Sequence, residues 1–208
     1  MNLNNISMIN LGGVGSCTLS TVLRRLNNPC YPYDNNLTYQ SAVINSILHL
    51  SPLFIFNEKY YLLPPLTAHK AIRNDNNTAF DIHYFKNDFN KDVFKVSSMY
   101  NRRLTRLIDK LNSTDNKLLV RMMHHIDSHH PEINGNKEKD NIKNWITFYD
   151  EINFKYPNIK LILISKQDNE VYSKNIKNGI YLINDKDIFD NTHDKLYFFL
   201  KDIKYENI

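Results

Sequence analysis

The chain has 208 residues, of which 42% are hydrophobic and 23% are charged, so it can bury a core without disulfides or a structural metal. Its two cysteines, Cys17 and Cys30, are too few for the disulfide framework of a small secreted protein, although a single bridge between them stays open. The net charge of +4 is spread along the whole chain, which disfavours a protein dedicated to binding nucleic acid.

The N-terminal sequence and the apolar runs bear on the location of the protein. The first residues lack the basic region and apolar run of a signal peptide, and no apolar stretch approaches the roughly 20 residues of a membrane helix. Abundant Asn, Ile, Lys and Tyr with scarce Ala and Gly are typical of an AT-rich genome, such as that of a large DNA virus or a parasite. We therefore expect a soluble cytoplasmic protein without membrane contact, in the host cytoplasm if the protein is viral.

Hydrophobic periodicity predicts strands and helices in alternation. The chain opens with a strand that ends at Gly12, Gly13 and Gly15, followed directly by a helix. The predicted strands are 6–11, 118–123, 159–165 and 179–183; the helices are 17–26, 38–50, 92–111, 141–156 and 194–203; residues 54–63 form a strand or hairpin, and 124–140 an exposed loop. This alternation predicts a single α/β domain, residues 1–208, with a mostly parallel sheet flanked by helices.

Cys17 lies where the predicted glycine turn passes into the first helix. The positive end of a helix dipole and the N–H groups of a first turn favour a thiolate over a thiol. Ligands of open α/β sheets usually bind at this strand-to-helix edge. Cys17 is therefore a candidate nucleophile, and Ser16 beside it a candidate substrate contact. The alternative is that Cys17 is a small buried hydrophobic residue, which is the interpretation we favour for Cys30.

A series of short motifs runs through residues 6–125. They are Leu11–Gly12, Ser16–Cys17, a Leu-Arg-Arg-Leu stretch at 23–26, YPYD at 31–34, a histidine segment at 80–89, YNRRLTR at 100–106 and LLVR at 118–121. In this order they resemble an uncharacterised family of predicted papain-like cysteine peptidases. Three features depart from the family pattern: Tyr-Asp-Asn stands where the family has Phe-Asp-Trp, two extra residues precede the cysteine, and the histidine segment is less compact.

The resemblance implies three catalytic residues: Cys17 as the nucleophile, His83 as the base and Asp34 as the group that orients the imidazole. A cysteine hydrolase needs a thiolate, an imidazole within hydrogen-bond reach and usually a third, orienting group. The predicted elements nevertheless suit a doubly wound α/β fold better than a papain-type architecture.

His124 and His125 are the alternative candidates for the base. They follow a predicted buried strand at its carboxyl end, which in a parallel sheet is the edge that carries Cys17. With His129 and His130 they also raise the hypothesis of a zinc-dependent hydrolase, but adjacent histidines rarely converge on one ion. A solvated loop is the simpler interpretation, and we expect neither a metal nor another cofactor.

Four arginines are candidates for binding an anionic substrate: Arg102, Arg103, Arg106 and Arg121. The first three lie on a predicted helix and could equally form a solvated face with local ion pairs. Arg121 lies inside an apolar strand, where it needs a buried partner, and Asp34 or Asp88 is the candidate.

The leading hypothesis is a cysteine-dependent hydrolase, with peptidase-like or acyl-transfer chemistry, that acts on a peptide or small-molecule substrate. The alternative is a non-catalytic α/β module, for example a viral host-interaction protein, that recognises an anionic or nucleotide-like ligand at the same edge. A phosphate loop is a poor match because no lysine follows the glycines in the required register. The sequence does not indicate the oligomeric state.

Overall fold

A computed structural model describes the protein over residues 6–13, 16–34, 36–38, 40–49, 71–73, 78–81, 89–123, 139–166, 171–190, 193–203 and 205–208. The strands are β1 (Ile6–Gly13), β2 (Asn36–Thr38), β3 (Ala71–Arg73), β4 (Thr78–Asp81), β5 (Asn116–Met122), β6 (Ile159–Ser165), β7 (Tyr172–Lys177) and β8 (Ile180–Asn184). The helices are α1 (Ser16–Arg25), α2 (Gln40–His49), α3 (Phe89–Asn112), α4 (Ile142–Lys155), α5 (Lys186–Asp190) and α6 (His193–Asp202), followed by a 3₁₀ turn at Tyr205–Asn207.

The main sheet has the strand order β1-β5-β6-β8-β7 over the described residues. Strands β1, β5, β6 and β8 run parallel, while β7 pairs antiparallel with β8 at one edge. A small antiparallel sheet of order β2-β4-β3 accompanies it. The predicted α/β class with a mostly parallel sheet is therefore confirmed.

Each face of the main sheet is covered by its own set of helices. Because strand side chains alternate between faces, Leu118 and Val120 of β5 join one apolar cluster, and Leu119 joins the other. The first cluster includes apolar residues of α1, α5 and α6. The second includes those of α2, α3 and α4. The central strands are therefore apolar on both faces, which explains their near-continuous hydrophobic runs.

Local sequence signals account for the ends of the helices. Asn141 caps α4, since its side chain accepts a hydrogen bond from the backbone N–H of Lys143 at 2.8 Å. Asn158, at φ 54°, lies in the turn that follows Pro157 and leads into β6. Asn27 has φ 60° just beyond α1, so the Asn-rich turns serve as helix stops.

The observed bounds follow the predicted ones closely in the core and less well at the surface. Strand β6 has the predicted bounds, and the ends of α4 and α6 differ from prediction by one residue. Neither β7 nor the β2-β4-β3 sheet was predicted from the hydrophobic pattern. The predicted strand or hairpin at 54–63 lies outside the described residues, as does 124–138 of the predicted loop. No described helix is both long and apolar enough to cross a membrane.

Ile162, in the middle of β6, is fully buried against the α1, α5 and α6 face. We expect Ile162→Ala to lower the free energy of unfolding by about 2–5 kcal/mol, because it removes buried methyl groups and leaves a cavity. The control is Phe154→Ala, since that side chain is 95% exposed and its loss should change stability by less than about 0.5 kcal/mol. Urea denaturation followed by circular dichroism compares the two, and equal stabilities would contradict the described packing.

Candidate functional site

Cys17 is the second residue of α1 and is exposed. It lies at the edge of the sheet where the parallel strands end, because α1 follows the carboxyl end of β1. No acidic residue lies in the first turn of α1 to oppose a thiolate there. The interpretation of Cys17 as a buried hydrophobic residue is therefore wrong. The side chain of Ser16 lies outside the described residues.

Cys30 lies beyond the other end of α1 and is partly buried. A ten-residue helix is about 15 Å long, so α1 separates the two thiols. The structure contains no bridge between them, and the disulfide that the sequence left open does not form.

The turn that precedes α1 requires glycine for two reasons. Gly12 and Gly13 have φ values of +75° and +96°, which side chains rarely adopt. Both are also closely packed: a Cβ at Gly12 would lie 2.1 Å from Oγ1 of Thr38, and one at Gly13 would lie 2.0 Å from the carbonyl oxygen of Met122. The glycines thus let the chain leave β1 while neighbouring segments pack directly against its backbone.

Arg121 is fully buried at the carboxyl end of β5. Its Nε and Nη2 atoms donate to the two carboxylate oxygens of Asp140 at 2.8 and 2.9 Å. Nη1 donates to the carbonyl of Leu11 at 3.0 Å and to Oγ1 of Thr38 at 2.9 Å, and Nη2 also donates to the carbonyl of Thr38 at 2.8 Å. These contacts use the five N–H donors of the guanidinium.

The expected partner of Arg121 was wrong. The carboxylate that pairs with it is Asp140 rather than Asp34, and Asp88 lies outside the described residues. Asp140 directly precedes Asn141, the cap of α4, whose helix begins near the carboxyl end of β5. All the N–H donors of Arg121 are bonded to other groups of the protein. This arrangement gives no support to its predicted contact with an anionic substrate.

The cluster around Arg121 extends to α2. Gln40, the first residue of α2, donates through Nε2 to the carbonyl of Asn141 at 2.8 Å and accepts from its N–H at 2.9 Å. The guanidinium of Arg121 also lies 5.4 Å from the centre of the Trp145 ring, within cation–π range. The starts of α2 and α4 are therefore fixed relative to the end of β1.

A second polar network joins β1 to α1. The side chain of Asn10 donates to Oγ of Ser20 at 2.9 Å and to Oδ1 of Asp34 at 3.1 Å, and its own Oδ1 accepts from the N–H of Gly12 at 2.7 Å. Ser20 also donates to Oδ1 of Asp34 at 2.9 Å, while Oδ2 accepts from the N–H of Tyr31 at 2.5 Å. Asp34 therefore connects the YPYD turn to the helix that carries Cys17.

Burial raises the pKa of the Asp34 carboxyl above its ordinary value. The hydrogen bonds from Tyr31, Ser20 and Asn10, and the nearby charge of Arg103, oppose this shift without cancelling it. Asp34 was predicted from the family resemblance, whereas Asn10 and Ser20 were not predicted as site residues. A polar Asn inside the apolar run of β1 was the available signal.

The three arginines of α3 lie in different environments. Arg106 donates to the carbonyl of Cys30 at 2.5 Å, and the guanidinium of Arg103 lies 5.5 Å from the centre of the Tyr100 ring. Arg102 is exposed. Arg106 thus binds the backbone at Cys30, and the charge of Arg103 lowers the pKa of Asp34. The predicted role of all three arginines in binding an anionic substrate stays a prediction.

The candidate bases His83, His124 and His125 lie outside the described residues, as do His129 and His130. Their predicted roles, including the zinc hypothesis, therefore stay predictions. Within the part of the chain that the structure describes, no three His, Cys, Asp or Glu side chains are grouped so that they could hold a metal ion.

The chain matches no protein-family model, and no curated protein or solved structure is significantly similar to it. The resemblance of residues 6–125 to the cysteine peptidase family stays a prediction.

Removing one partner of the buried ion pair should be strongly destabilising. Asp140→Ala leaves the charge of Arg121 without its carboxylate in the core, so we expect the free energy of unfolding to fall by about 3–5 kcal/mol. The matched control is Asp194→Ala, which breaks the exposed ion pair with Arg25 and should lower it by at most about 1 kcal/mol. Urea denaturation measures both, and a similar loss in the two variants would contradict the burial of the Arg121–Asp140 pair.

The stability effects of two aspartates should depend on pH with opposite signs. The raised pKa of Asp34 means that its stabilising contribution is greatest below about pH 4, the ordinary aspartate pKa, and is lost as the pH rises through the folded-state value. The hydrogen bond and charge of Lys110 lower the pKa of Asp115, so its contribution is present above that pH and is lost on acidification.

Unfolding free energies of wild type, Asp34→Asn and Asp115→Asn, measured across the acid range, test this expectation. The wild-type advantage over Asp34→Asn should shrink as pH rises, and its advantage over Asp115→Asn should grow. Parallel curves for the two variants would show that Asp34 is not desolvated as described.

Proposed function

We propose that the protein is a cysteine-dependent hydrolase or acyl transferase in which Cys17 is the nucleophile. The observation that carries this proposal is the position of an exposed cysteine in the first turn of α1, at the carboxyl edge of a parallel sheet. In α/β folds this edge is the usual place for a ligand. The dipole of α1 favours the thiolate, and N–H groups of a first helical turn are suited to stabilise an oxyanion.

The proposed chemistry proceeds in two steps. The thiolate sulfur of Cys17 bonds to the carbonyl carbon of the substrate, the leaving group departs with a proton from the imidazolium of a histidine, and a thioester remains. Water, deprotonated by the same imidazole, then attacks the thioester, releases the acid and regenerates the thiol. A second nucleophile in place of water would make the reaction an acyl transfer.

The base is proposed to be His83, His124 or His125. His83 is supported by the family resemblance. His124 and His125 are supported by their place in the sequence directly after Met123, since β5 is the neighbour of β1 in the sheet.

Asp34 is proposed as the orienting group because it is bonded to Ser20, one helical turn from Cys17. Described residues donate three hydrogen bonds to a carboxylate that can accept about four. One acceptor position would then be available for an imidazole.

The alternative, a non-catalytic module for an anionic or nucleotide-like ligand, has weaker support. Arg121, the buried cation at the same edge, donates all its N–H groups to the protein itself.

We also propose a cytoplasmic location, in the host cell if the gene is viral, since the absence of a bridge between Cys17 and Cys30 is consistent with a reducing compartment. The substrate class is a peptide or a small molecule with a reactive carbonyl.

The rate of iodoacetamide labelling at Cys17 should be high well below the pH at which an ordinary thiol ionises. Peptide mass spectrometry, from about pH 5 to pH 9, quantifies the labelling of Cys17 and Cys30 in the same sample, with urea-unfolded protein as the reference for an ordinary thiol. We expect the Cys17 profile to change in one of the variants His83→Ala, His124→Ala and His125→Ala, and thus to identify the base.

An acyl-enzyme is the second readout. Incubation with p-nitrophenyl acetate should give an initial burst of nitrophenol and an acetyl group on Cys17 that is then hydrolysed, and Cys17→Ser should abolish the burst. A Cys17 that labels like the unfolded thiol in wild type and in all three histidine variants, and forms no acetyl adduct, would overturn the proposal and favour the binding module.

A further inference from the structure

We propose that Arg121 is a positioning residue for Cys17, which it controls by holding a bulge at the end of β1. The proposal rests on the proposed function in that Cys17 is taken as the reacting group. Arg121 does not touch Cys17 in this role; it acts through the backbone that leads into α1.

The pairing of β1 with β5 shows where the bulge lies. Asn10 pairs with Val120 and Gly13 with Met122, so three steps along β1 oppose two steps along β5. Leu11 and Gly12 together therefore lie opposite the single residue Arg121. Bulges of this kind bend a strand, occur beside active sites and redirect the chain that follows.

Arg121 faces this bulge from β5. Its Nη1 atom donates to the carbonyl of Leu11 at 3.0 Å. Thr38 supports the same carbonyl, because its Oγ1 donates to it at 3.1 Å while accepting from Nη1 at 2.9 Å. Two side chains therefore satisfy the peptide oxygen at the irregular position of the ladder.

Close packing extends this hold to the glycines. A Cβ at Gly13 would lie 3.0 Å from Cζ of Arg121, and a Cβ at Gly12 would lie 2.1 Å from Oγ1 of Thr38. The guanidinium and the hydroxyl thus occupy the space that side chains would fill on the turn. The last two residues of β1 are therefore held in place by Arg121 and Thr38.

The guanidinium itself is held rigidly. The bidentate bond to Asp140 fixes its plane, since both the carboxylate and the guanidinium are flat. A lysine could keep the ion pair with Asp140, but as a single ammonium it could not also reach the carbonyls of Leu11 and Thr38 in the same fork geometry. Arg121→Lys therefore keeps the charge that neutralises Asp140 and removes the hydrogen bonds that hold the bulge.

The test compares four variants in a Cys30→Ser background: Arg121→Lys, Thr38→Val, Thr38→Ser and Ile180→Ala. Thr38→Val removes the hydroxyl and keeps the shape, whereas Thr38→Ser keeps the hydroxyl. Ile180 is a buried residue at the amino-terminal end of β8, two strands away from β5, so its truncation destabilises the protein away from Cys17. The readouts are the pH profile of the iodoacetamide rate at Cys17 and the free energy of unfolding.

We expect Arg121→Lys and Thr38→Val to lower the Cys17 rate near neutral pH by about tenfold and to move its profile to higher pH, because without a held β1 end the first turn of α1 frays and no longer presents its dipole and N–H groups to the thiolate. Thr38→Ser should keep the wild-type profile. Ile180→Ala should keep it as well, in spite of its lower stability. If Arg121→Lys does not fold, the comparison of Thr38→Val with Thr38→Ser tests the proposal by itself.

A wild-type profile in folded Thr38→Val or Arg121→Lys would overturn the positioning role and leave Arg121 as a structural residue. Failure of the proposed function is a different result, since it would be seen in the parent protein as an absent acyl-enzyme. The two outcomes are therefore distinguished by separate samples.

Discussion

The charge of Arg121 inside the core is the constraint on which the arrangement of the carboxyl edge depends. A buried guanidinium is tolerated only when its charge is paired and its donors are satisfied, which here requires a carboxylate and three backbone or hydroxyl oxygens. These acceptors come from the end of β1, from β2 and from the residue before the α4 cap. Satisfying one side chain therefore brings together the end of β1, β2 and the start of α4.

The end of β1 is held from both faces of the sheet. Asn10 is bonded to Ser20 and Asp34 on the side of α1, while the carbonyl of Leu11 is bonded to Arg121 and Thr38 on the other side. Apolar contacts alone would allow small sliding movements of a strand end, whereas directional hydrogen bonds do not. The last residues of β1, from which the chain continues toward α1, are therefore anchored on both sides.

Periodicity predicted the elements whose burial is uniform and failed where burial is partial. Strand β6 is apolar on both faces, so its pattern was unambiguous, whereas β7 is a largely exposed edge strand with the polar sequence YSKNIK. Arg121 could be identified from the sequence because it is a cation inside an apolar strand. Its partner was not, because Asp140 is nineteen positions away and no local pattern marks it. The rule that a helix after a parallel strand begins at that strand's carboxyl edge was the usable signal, since Asp140 precedes the cap of α4.

The contacts that hold the bulge at Leu11 join residues far apart in the sequence. Arg121 is separated by 110 positions from Leu11 and by 83 from Thr38, and its carboxylate partner lies further along the chain. Contacts of such long range form late, because the entropy of closing large loops must be overcome first. On the ribosome, α1 and its cysteine emerge well before β5 and Asp140. A nascent chain therefore exposes the thiol of Cys17 before Arg121 and Asp140 can make the contacts that hold the end of β1.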